Sequence, residues 1–142
     1  MIATLFGKKK ITEDKLANVF VNAILELAEN GFPAIAAELN EAPEFLVSPA
    51  IKENDDIPFT MVVLAGNLIE MKNTLGPGLD KRMYSLCISK FAQAIGHVGS
   101  DLEVEIKAIQ SHMTRLNAPS KNTIYAMGKV LFHQYDLFCF QD

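Results

Sequence analysis

Apolar residues recur along this chain mostly at every third or fourth position, and no stretch of useful length alternates apolar with polar. That spacing follows the turn of an α-helix, so the chain reads as all-helical. Thr12, followed by Glu13 and Asp14, has the form of a helix cap with acids in the first turn. Leu16, Val19, Phe20, Ala23, Ile24 and Leu27 then mark one buried stripe, which "ENGFP" is expected to stop at Gly31 and Pro33. A short second helix from Pro33 to Asn40 starts on that proline, which suits a first helical position.

Between Glu41 and Pro58 the period breaks, with three prolines and the acidic cluster Glu53, Asp55 and Asp56. This is expected to be a long ordered loop, with Phe45, Leu46, Val47 and Ile51 packed on the body. A third helix spans about Phe59 to Leu75, with Met61, Leu64, Ala65, Leu68 and Ile69 on one face; "LGPG" closes it. The fourth, about Leu79 to Val98, turns Met83, Leu86, Cys87, Phe91, Ala94 and Ile95 inward. Ser100 and Glu103 have capping-box spacing, and Leu102, Ile106, Ile109, Met113 and Leu116 give the fifth helix the cleanest stripe in the chain. The last helix starts after a cap at Ser120 or Asn122 and is expected to run to the C-terminus. Five to six mostly antiparallel helices, joined by short turns, make a compact bundle within a single 142-residue domain.

The terminal helix is where the pattern raises a functional question. At about 100 degrees per residue, Ile124, Met127, Leu131, Tyr135 and Phe138 share a core side, yet Ala126, Val130, Leu137 and Phe140 make the other side apolar too. A helix apolar nearly all round is central to its own domain or shared with a second subunit. The composition sharpens this, because 49% of the residues are hydrophobic and mean hydropathy is +0.15. Runs such as "MVVLAG" are too short to span a bilayer, so the apolar surplus is expected at an interface or in a pocket. Homodimerisation through Val130, Leu137 and Phe140 is the leading expectation, and docking of another protein's amphipathic helix is an alternative.

A pocket between helices is the other alternative, with Tyr125, His133, Tyr135 and Asp136 as its polar members and the 41–58 loop as its lid. His133 and Asp136 are within reach of one another on a helix, but Cys139 lies about 80 degrees further round, and no nearby feature activates it as a nucleophile. No catalytic residue is assigned, and binding or assembly is expected instead of catalysis. His97 and His112 lack a zinc-site spacing, and Asp101, Glu103 and Glu105 are explained by the helix dipole, so neither a metal nor a cofactor is expected. No glycine-rich phosphate cradle is present.

The charge of −4 and pI of 5.3 disfavour nucleic acid as a partner. Lys81, Arg82, Tyr84 and Lys90 form at most a small basic patch. Residues 1–11, with Lys8 to Lys10, are expected to be a solvated terminus. Two cysteines without CxxC spacing, and no secretory leader in the sequence, make the cytoplasm the expected location.

Overall fold

A computed structural model describes residues 11–117 and 122–140; the lysines at 8–10 and Ser120 lie outside them. Among these residues five α-helices make up the bundle: α1 (Glu13–Asn40), α2 (Ile57–Thr74), α3 (Leu79–Ile95), α4 (Gly99–Asn117) and α5 (Thr123–Gln134). A short 3₁₀ turn, Leu137–Phe140, follows α5. Among the described residues there is no strand.

α1 starts where its cap predicts. Thr12 Oγ1 accepts the Lys15 backbone N–H at 3.1 Å, and Glu13 and Asp14 pair with Arg82 and Lys90 of α3. The helix does not stop at Pro33. It runs unbroken for 28 residues, since Ala28, Phe32 and Ala36 carry one buried stripe across the proline. Packing on both sides holds the turn whose hydrogen bond proline cannot donate.

The buried stripe of α1 is also not the expected one. Ala17, Val21, Ile24, Ala28, Phe32 and Ala36 face the core, whereas Val19 and Leu27 are 64% and 57% exposed. Two apolar stripes lie side by side on this helix, and the bundle uses the alanine-rich one, which permits close approach of α2 and α3. By length and composition α1 would also pass as a membrane span, with a mean hydropathy of 1.2. Its second apolar flank contributes to that value.

α2, not the terminal helix, is buried all round. Phe59 to Gly66 and Leu68 are all buried, and α2 touches each of the other four helices. A Cβ at Gly66 would run into the side chain of Met127, so this glycine is what lets α5 lie close. α3 buries Met83, Cys87, Ile88, Phe91 and Ala92, leaving Ala94 exposed against expectation. The α4 stripe is as predicted, with Leu102, Ile106, Ile109 and Met113 buried, although Ser100 lies inside the first turn instead of capping it.

α5 is capped by Asn122, whose Oδ1 accepts the Tyr125 N–H at 3.0 Å. It buries Ala126 and Val130, while Ile124 and Phe138 are exposed. Met127, Leu131 and Tyr135 pack against the core as expected, but the fully buried residues come from the side expected to face a partner. The helix ends early because Asp136 takes a φ of +51°, and the turn then folds Leu137 inward. Val130 and Leu137, 0% and 1% exposed, belong to the chain's own core and offer nothing to a second copy. Phe140 is half-buried beside the 41–56 loop.

Candidate functional site

That loop and the C-terminal turn enclose an open cleft of about 720 Å³. Three contacts fix the loop. The Asn40 side chain, at the end of α1, donates to the Ile51 carbonyl at 2.9 Å and accepts its N–H at 2.7 Å. The Leu46 N–H donates to the Phe140 carbonyl at 2.9 Å. Tyr135, which also lines the cleft, makes the third contact.

The Tyr135 ring packs on Phe32 of α1, with centroids 5.8 Å apart. Its hydroxyl accepts the Phe59 N–H at 3.0 Å and donates to the Asp55 carbonyl at 2.7 Å. A phenol from the end of the chain thus satisfies an unpaired donor in the first turn of α2. Burial holds its pKa far above the ordinary tyrosine value. With its proton and lone pair both engaged, Tyr135 serves as a structural clamp.

The cleft is lined by Pro49 to Lys52, Asn54 and Asp55 of the loop, by Pro58 at the start of α2, and by Gln134 to Asp136 and Phe140. The described non-glycine residues with left-handed backbone are Ala50, at φ +52°, and Asp136. Both line this cleft. For alanine that conformation costs about 1–2 kcal/mol, and the hydrogen bonds of Asn40 next to Ala50 offset it. Leu46, Val47, Ile57 and Phe138, all exposed, sit on the segments bordering the cleft. The expected packing of Leu46 and Val47 on the body is not found, while Phe45 is half-buried near Phe132, with ring centroids 6.2 Å apart.

Of the four residues expected to form a pocket, the fold brings Tyr135 and Asp136 to the cleft and leaves two elsewhere. Tyr125 lies under the Lys129 ammonium, 4.6 Å from its ring centre. His133 meets His112 edge-on and Phe138 at a tilt, with ring centres 4.7 and 4.9 Å away. Because α5 stops before Asp136, the helical spacing that suggested a His133–Asp136 pair does not apply. Cys139 is exposed but outside the lining. Cys87 is enclosed in the core, and burial pushes its thiol up to about 11. Asn40, Ala50, Asn54 and Gln134 were not anticipated; nothing in the sequence marks Ala50 as left-handed, though Pro49 before it and Pro58 beyond mark the segment as constrained.

Elsewhere, Arg82 and Lys90 are engaged with α1, which dissolves the small basic patch. Glu103 pairs with Lys107 one turn on. No family model matches the chain, and no curated protein or solved structure matches it.

Proposed function

We propose that this is a non-catalytic binding domain whose cleft takes a small organic molecule with a flat apolar body and a few hydrogen-bonding groups. The carrying observation is that two energetically unfavourable backbone conformations, at Ala50 and Asp136, converge on one concavity. Strain of this kind persists where surrounding contacts impose it, and it concentrates at binding sites. The cleft's size falls within the range of about 300–1,000 Å³ typical of ligand pockets. Its lining alternates Pro49, Ile51, Pro58 and Phe140 with Lys52, Asn54, Asp55, Gln134 and Asp136. The apolar members offer flat contact area and the polar ones orientation.

Amide-resolved NMR of the full chain against a fragment library tests this reading. Binders are expected to shift the amides of Ala50 to Asp55 and Gln134 to Phe140, and Asn54→Ala or Gln134→Ala to weaken them. A library whose hits all map to other surfaces would refute it.

A second reading, self-association, is favoured by the exposed flank of α1. Val19, Ala23 and Leu27 are spaced by four, with the small residue central. Two copies crossing antiparallel at Ala23 would set Val19 against the partner's Leu27, a self-complementary contact. Light scattering at micromolar concentration is expected to give a dimer that Val19→Asp dissociates; a monomeric parent chain removes this reading and leaves the cleft untouched.

A further inference from the structure

His112 of α4 and His133 of α5 are 21 positions apart in sequence, so no local spacing connects them. In the fold their ring centres are 4.7 Å apart, with planes inclined at 60°. We propose that this pair is a two-histidine site for a first-row divalent transition ion, copper(II) foremost.

The spacing of the two ring centres fits such an ion. With metal–nitrogen bonds of about 2.0–2.1 Å, two imidazoles in neighbouring coordination positions have ring centres roughly 4.5–5.2 Å apart. Neither imidazole is engaged in a described hydrogen bond to the protein or in an ion pair. Each therefore retains a nitrogen lone pair for a metal. Phe138 packs on His133 at 4.9 Å, and Phe132 packs on Phe138 at 5.3 Å. These contacts restrict the ring's rotation and so lower the entropy lost on coordination.

Metal ligation requires neutral imidazole. Burial and the neighbouring His133 hold the His112 pKa below the ordinary histidine value, which favours the neutral form. The same proximity that disfavours two protons suits one shared cation. Imidazole donors without thiolate favour copper(II) over zinc and nickel by the usual stability order. Among the described residues no group of three or more His, Cys, Asp or Glu is placed to hold a metal ion, so water completes the coordination sphere and the ion exchanges readily. Arg115, whose charge acts on His112, opposes a cation and limits the affinity.

The test is titration of the full chain with copper(II) alone, at neutral pH, read by calorimetry and by paramagnetic broadening of backbone amides. One equivalent is expected to bind, with early broadening confined to residues around 110–114 and 131–135. His112→Gln and His133→Gln should each lower the affinity at least tenfold, and Arg115→Gln should raise it. His97→Gln, at an exposed histidine in the α3–α4 connection, should leave it unchanged. Equal binding by both single variants, or broadening centred on His97, would overturn the site. Both histidines are at least partly solvent-exposed, and thermal melts without metal establish that each variant is folded.

Discussion

Tyr135 concentrates more of the architecture than any other side chain near the cleft. Its ring stacks on Phe32, and its hydroxyl bridges the Phe59 amide and the Asp55 carbonyl. Removing that hydroxyl leaves a helix N–H without its partner at a part-buried position. Tyr135→Phe is expected to cost about 1–3 kcal/mol in denaturant unfolding, with enhanced amide exchange at Phe59. Asp136 offers the opposite case, since its left-handed backbone suits glycine better. Asp136→Gly should be neutral or stabilise by up to about 1 kcal/mol, while removing a carboxylate from the cleft. Stability and ligand affinity would then move in different directions, as expected where strain serves a site.

At the scale of whole helices, residue spacing located nearly every element but misassigned two faces. The α4 stripe was legible because Leu102, Ile106, Ile109, Met113 and Leu116 share one face and Val104 is the large apolar residue outside it. α1 and α5 carry more apolar residues than one face can hold, so periodicity leaves several orientations open. Tertiary packing selected the stripe containing Ala17, Ala28 and Ala36 over the one containing Val19 and Leu27. Likewise the end of α5 depends on the left-handed Asp136, a backbone state that no local signal announced. The cleft was half legible for the same reason: Tyr135 and Asp136 were anticipated, Ala50 and Asn40 were not. Continuity through Pro33 leads to a direct prediction. Pro33→Ala restores the missing N–H and should stabilise the protein by about 1–3 kcal/mol. Calorimetric melting would show this as a raised Tm, whereas two separate helices would show no gain.

For the molecule as a whole, acid should weaken the bundle before the carboxylates titrate. The folded His112 binds its proton less readily than in the unfolded chain, where its pKa is near 6.5. Between the two values the unfolded state holds more protons, so stability falls as pH drops below about 6.5. Melting curves between pH 7.5 and 5 should show this decline, and His112→Gln should flatten it. The Tyr135 clamp has a consequence of another kind. Its partners are more than seventy positions earlier in the chain, so the opening turn of α2 emerges from the ribosome long before the phenol that completes it. The cleft can therefore form only after Tyr135 has been added to the growing chain, so the loop and the start of α2 wait for a segment made much later.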